Sequence, residues 1–146
     1  HGSKSIRFSH KNGTEFLAII YQYLPASSQQ INHLYYGMMY IRTSVTFSSP
    51  DSKFEIYRTN GNNTNLFANT NIKTNQWTKL SNTITLDTTE DYWHVRIYSQ
   101  WPSDYMYVDS LLILDLTAIF GSGNEPGNDW CDKHINYFDG TTTIYK

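Results

Sequence analysis

Cysteine is almost missing from this chain: only Cys131 carries a thiol among 146 residues. A single thiol excludes an intramolecular disulfide framework and a cysteine-based zinc finger. Basic clusters are missing as well. Arg7, Arg42, Arg58 and Arg96 are scattered, no Lys/Arg run occurs, the formal net charge is −2 and the pI is near 6.2. That charge pattern excludes the basic footprint of a nucleic-acid binder and the polybasic patch that holds a protein on an anionic membrane. The longest apolar stretch, Leu111 to Phe120, is interrupted by Asp115 and Thr117. It falls well short of the roughly 20 residues that span a bilayer, so no membrane insertion is expected. Catalytic signatures are absent too: there is no G-x-S-x-G, no H-E-x-x-H and no Walker loop. Glycoside hydrolysis needs two carboxylates facing each other at a set separation. Here Asp51, Asp87, Glu90, Asp91 and Asp104 fall mostly in turn-like segments and no spacing singles out a pair. The chain reads as non-enzymatic.

What is present is aromatic and small polar. The 23 aromatic residues nearly match the 24 charged ones, and Thr, Ser and Asn together number 43. Thr, Tyr, Trp, Val, Ile and Phe suit a pleated surface, while Asn, Ser and Gly supply turns. The composition points to an all-β chain. At 17.0 kDa the length suits one domain with one core. No signal-peptide pattern opens the chain. His1-Gly2-Ser3 reads as the scar of a cleaved tag, which leaves 4–146 as a single domain and suggests a piece of a longer protein.

Alternation places the strands. Ser5 to Ser9, Phe16 to Leu24, Leu34 to Phe47, Lys53 to Thr59, Trp77 to Leu86, Tyr92 to Ser99 and Tyr105 to Leu114 read as strands, with a short one around Leu66 and Phe67. Gly37 marks a bulge or a close approach within the long third strand. Successive side chains point to opposite sides. Met39, Ile41, Val45 and Phe47 therefore share an apolar face, and Tyr36, Met38, Tyr40, Arg42, Ser44 and Thr46 a polar-aromatic one. Leu80, Ile84 and Leu86 point inward, Lys79, Ser81 and Thr83 outward. Trp93, Val95 and Ile97 oppose Tyr92, His94, Arg96 and Tyr98. One apolar and one polar-aromatic face per strand is the pattern of two antiparallel sheets on a shared core: a β-sandwich of jelly-roll type with a short C-terminal helix.

The end of the chain changes character. Asp115 to Phe120 reads as a helical turn, and Gly121 to Pro126 as punctuation. Asn128 is the expected N-cap of a short helix through His134, with Asp129 near its positive end. Cys131 is expected to be a buried structural thiol. Trp130 is expected to anchor the helix, and Thr141 to Tyr145 to return as a strand.

The stretch DLTAIFGSGNEP (residues 115–126), continued by Trp130-Cys131-Asp132 and by Tyr137-Phe138-Asp139-Gly140-Thr141, is the most specific feature of the chain. It resembles a tail that recurs in tail, baseplate and receptor-binding proteins of phages and prophages of Gram-positive bacteria. In that family it follows a β-sandwich resembling a carbohydrate-binding module. Val108 to Leu112 resembles the family's last core strand, and Gln76 to Ser81 a strand common among such modules. The resemblance covers roughly residues 34–146. It implies a carbohydrate-binding domain at the virion tail, outside the cell, with host cell-surface saccharide and other phage tail proteins as partners. The tail itself looks architectural and does not name a sugar.

A sugar offers apolar C–H faces and hydroxyl edges, which a flat ring and polar side chains recognise. Tyr40 and Arg42 on one strand, His94, Arg96 and Tyr98 on another, and Trp101 in the following loop supply both kinds, and they form one surface if the two strands are neighbours. Each Tyr alone also fits a surface strand residue, and Trp101 fits a plug at the end of the sandwich. Jelly-roll sugar-binding modules often carry a structural calcium. The resemblance makes Asp109 its candidate ligand, against a simple hydrogen-bonded Asp at a strand edge; no other cofactor is expected. Two further readings remain open at this point: a structural or protein-docking module of the tail without a sugar site, and a binding module appended to a glycoside hydrolase or lysin.

Overall fold

Ten elements follow one another in a computed structural model that describes residues 5–9, 16–22, 29–44, 54–57, 64–67, 72–87, 93–99 and 105–135. They are β1 (Ile6–Ser9), β2 (Phe16–Gln22), β3 (Leu34–Thr43), β4 (Phe54–Tyr57), β5 (Thr64–Phe67), β6 (Thr78–Thr85), β7 (Trp93–Ser99), β8 (Tyr105–Asp115), α1 (Leu116–Phe120) and α2 (Asn128–His134). The strands form two four-stranded sheets, ordered β1-β8-β3-β6 and β2-β7-β4-β5. Every strand pairing is antiparallel. Except for the hairpin β4–β5, chain neighbours alternate between the sheets, which is the winding of a jelly-roll β-sandwich. The expected all-β class and jelly roll are thus present, with α1 at the expected helical turn and α2 as the short C-terminal helix. Val45, Phe47, Trp101 and the strand expected at Thr141 to Tyr145 lie outside the described residues.

The inner face of the first sheet follows the alternation. Tyr35, Met39 and Ile41 on β3, Leu80 on β6, and Met106 and Val108 on β8 are all buried. Register puts Met39 opposite Leu80 and Ile41 opposite Val108. Removing such side chains from water contributes roughly 1.5–3 kcal/mol each. The chain enters β3 through Asn32, whose φ of 65° lets its N–H donate to the Leu86 carbonyl at 2.7 Å.

Gly37 pairs regularly with Asn82 and Ile113; the bulge lies instead in the neighbouring strand. Pairing runs Met38 to Leu112 and then Tyr40 to Asp109, so Ser110 and Leu111 together oppose Met39. Ser110 takes up the extra length at φ 55°, a left-handed backbone uncommon outside glycine. The insertion reverses the side on which later β8 residues fall. Before it, Met106, Val108 and Ser110 are buried; after it, Leu112 and Leu114 pack on the opposite face with Tyr36 and Met38.

Candidate functional site

The outer face of the first sheet carries two different surfaces. Towards the start of β3 it is covered. Tyr36 and Met38 are fully buried in a cluster with Leu116 of α1, Cys131 of α2 and Ile135, with Leu34, Tyr40, Leu112 and Leu114 packed against it. The polar-aromatic face expected to be open on β3 is therefore sealed over this half, because the two helices present their apolar residues to it.

Several polar groups of the stretch 115–126 have structural tasks in this latch. Asp115 caps α1, accepting from the Ala118 N–H at 2.9 Å, and pairs with His33 Nδ1 at 2.8 Å. The Leu34 N–H donates to Thr117 Oγ1 at 2.8 Å, and that hydroxyl donates to Glu125 Oε1 at 2.6 Å. Glu125 Oε2 accepts from the Gly123 N–H at 2.7 Å. These bonds hold the Glu125 carboxyl below its ordinary range, the Thr117 hydroxyl contributing most. Gly121 closes α1 at φ 87° and Gly123 sits at φ 82°, backbone that glycine adopts without strain.

Asp132 is the hub of the second helix. It accepts from Tyr36 Oη (2.8 Å), Ser81 Oγ (2.8 Å) and Asn128 Nδ2 (3.0 Å), and pairs with Lys79 Nζ at 2.9 Å. Lys79 also donates to the carbonyls of Asp132 and Ile135. Burial alone would raise the Asp132 pKa, but the bonds from Ser81, Lys79 and Tyr36, with the Lys79 charge, outweigh it and lower it. Burial first, then Asp132, pushes the Tyr36 hydroxyl far upward. Cys131 is buried as expected, and burial pushes its thiol up, which keeps it protonated and inert.

Two expectations about α2 need correction. The N-cap is Gly127, without a side-chain bond, and Asn128 instead reaches Asp132 one turn on. Asp129 does lie in the first turn. Trp130 does not anchor the helix; it is 42% exposed. Residues 128, 131, 132 and 135 share the sheet-facing side, which puts Trp130 and His134 together on the other. There His134 stacks on the indole at 4.2 Å, and the Phe120 ring stands edgewise at 5.6 Å.

The other half of the outer face is open, and one register row crosses it. Arg7 of β1 pairs with Tyr107 of β8, and Tyr107 with Arg42 of β3. Trp77, just before β6, extends the row, 6.5 Å from Tyr107 between ring centroids. Arg7 is exposed and lies over the rings of Tyr105 and Tyr107 at 5.4 and 5.9 Å. Tyr105 meets Tyr107 edgewise at 5.3 Å and donates its hydroxyl to Asn75 Oδ1 at 3.3 Å. Tyr40 and Asp109 form the next row, between the open half and the latch. Arg42 is half-buried, and its Nε is shielded from solvent with no hydrogen-bond partner among the described residues.

Of the sequence-predicted residues, Tyr40 and Arg42 thus lie on this sheet. His94, Arg96 and Tyr98 do not: β7 belongs to the second sheet, where they pair with Tyr21, Ile19 and Leu17 of β2. The single surface expected from neighbouring strands is therefore not formed, because jelly-roll winding sends β3 and β7 to different sheets. Trp101 lies outside the described residues. Arg7, Trp77, Tyr105 and Tyr107 were missed. The alternation of Tyr105, Tyr107 and Asp109 was the available signal, hidden by the apolar run that follows it.

Calcium takes six to eight oxygen ligands, usually several of them carboxylates. Among the described residues no group of three or more His, Cys, Asp or Glu could hold a metal ion. Asp109 has Ser110 Oγ at 3.5 Å. The described donors alone do not complete a calcium cage there.

No protein-family model and no curated protein sequence matches the chain. A solved structure of a Family 16 Carbohydrate Binding Module-2 is similar in fold, with a TM-score of 0.51 and 15% sequence identity over 78% of each chain. The chain thus has the β-sandwich fold that this carbohydrate-binding module also adopts.

Proposed function

We propose that this domain is a non-catalytic carbohydrate-binding domain of a phage tail, baseplate or receptor-binding protein that adheres to host cell-wall polysaccharide. The observation that carries the reading is the open row Arg7, Tyr107, Arg42 and Trp77, on a sheet whose other half is sealed. Rings supply stacking surface and guanidinium groups donate to hydroxyls. A shallow, half-exposed row suits weak single-site binding, which many copies on one particle would turn into firm adhesion. The module-like fold and the tail motif support the same reading.

The test is labelling of Gram-positive cells by the fluorescent domain. Labelling that is lost when cells are stripped of surface polysaccharide, and lost with Tyr107→Ala, is the expected result. Labelling that is unchanged by Tyr107→Ala but lost with Trp101→Ala moves the site to the loop after β7. No labelling across a broad strain panel overturns the reading.

A different observation favours the docking alternative. Ile119, Phe120 and Trp130 are 57%, 39% and 42% exposed on the outer side of the latch, and aromatic side chains are enriched at protein interfaces. In that reading another tail protein covers this patch, and Trp130→Ser removes its binding while cell labelling persists.

A further inference from the structure

Resting on the reading above, we infer that the open half-face selects glycans bearing an oxyanion, a carboxylate or a phosphodiester, over neutral ones. The row places a guanidinium on each side of Tyr107, from β1 and from β3. Arg7 lies over the rings of both Tyr105 and Tyr107. A neutral sugar stacks on bare ring faces; here a cation shares them, so an approaching ligand meets positive charge as well as carbon. Arg42 supplies the second observation. Its Nε is withdrawn from water with no acceptor among the described residues, a donor that an ordered water or a bound oxygen admitted by a small shift of the side chain would satisfy. A guanidinium presents paired donors matched to the two oxygens of a carboxylate or phosphate.

The charge balance of this surface agrees. Arg7 and Arg42 flank Tyr107 in one row and Asp109 lies in the next, while the nearby Lys79 is committed to Asp132. Among the described residues these rows therefore carry two guanidinium groups to one carboxylate, on a chain whose formal net charge is −2.

Three purified polymers test this by titration against the whole domain: a polyuronate, a polyglycerol phosphate and a neutral glucan. The expected result is at least tenfold tighter binding of one or both anionic polymers at low salt, with the advantage shrinking at high salt as charge is screened. The polyuronate and polyglycerol phosphate arms separate carboxylate from phosphodiester recognition. Arg7→Gln, at an exposed position, is expected to remove most of that advantage. Arg42→Lys, checked for folding by its melting curve, keeps the charge but lacks the fork and is expected to lose it in part. Equal binding of the neutral glucan, unchanged by Arg7→Gln, overturns the anionic preference and leaves the carbohydrate reading standing. No binding to any polymer or to cells overturns both.

Discussion

The two halves of the outer face of the first sheet are built on the same strands, yet they solve opposite problems. In the latched half, Tyr36 and Met38 are shut away beneath Leu116, Cys131 and Ile135, and the polar groups that come with them converge on Asp132, although Asn128 Oδ1 is shielded with no partner among the described residues. In the open half, Tyr107 lies between two guanidinium groups, and Arg42 keeps a donor that no described residue answers. Satisfied polar groups stabilise a fold, while unanswered buried ones weaken it. The difference separates side chains bound into the fold's own network from a row that stays exposed or half-exposed.

The strongest way to break the latched half is at its hub. Asp132→Ala leaves the Tyr36 and Ser81 hydroxyls without their acceptor and the Lys79 ammonium without its counter-charge, and is expected to cost about 2–4 kcal/mol. At this chain length that lowers the melting temperature by roughly 5–15 °C, read by calorimetry. Ile135→Ala should follow at about 2 kcal/mol, since it opens a cavity beside Cys131 that α2 can partly close. Thr117→Val keeps the shape but removes the link between the Leu34 N–H and Glu125; about 1–2 kcal/mol is expected. In the open half the order reverses. Tyr107→Ala should weaken glycan binding about tenfold, near 1.4 kcal/mol, while moving the melting temperature less than any latch variant.

Acid sharpens the same contrast. Asp132 and Glu125 are both held below their ordinary pKa values in the folded chain. Unfolded, such groups take up protons near about pH 3.9 and 4.3. Their contribution is therefore complete above those values and is lost as pH falls through the lower folded ones. The melting temperature should fall steeply below about pH 4, and Asp132→Asn should flatten that slope. A slope unchanged in Asp132→Asn would remove Asp132 from the account of acid stability.

The sequence carried much of this, unevenly. The strands were legible because a half-buried strand must alternate, and the inner set Met39, Ile41 and Leu80 is buried as that rule requires. Alternation reports which side a residue takes, but not what covers that side. Tyr36 and Met38 therefore read as outward although two helices lie over them. Nor does it report which strands become neighbours, so Arg42 and Arg96 were grouped on one surface although they occupy different sheets. Trp130 misled because hydrophobicity was weighed without helical phase: Cys131 and Ile135, one turn apart, hold the inner side.

The bulge at Ser110 has a consequence for how such a domain can change over time. One surplus residue divides β8 into a segment that serves the exposed row and a segment that serves the seal, with opposite phase. Substitutions at Tyr105, Tyr107 or Asp109 can therefore alter the exposed row while Leu112 and Leu114 stay packed on the seal. Deleting that residue would couple the two again, turning the leucines toward the inner core and leaving the helices without their floor. The irregularity works as an insulator between two lineages of change, one free to follow a varying target and the other held to the fold.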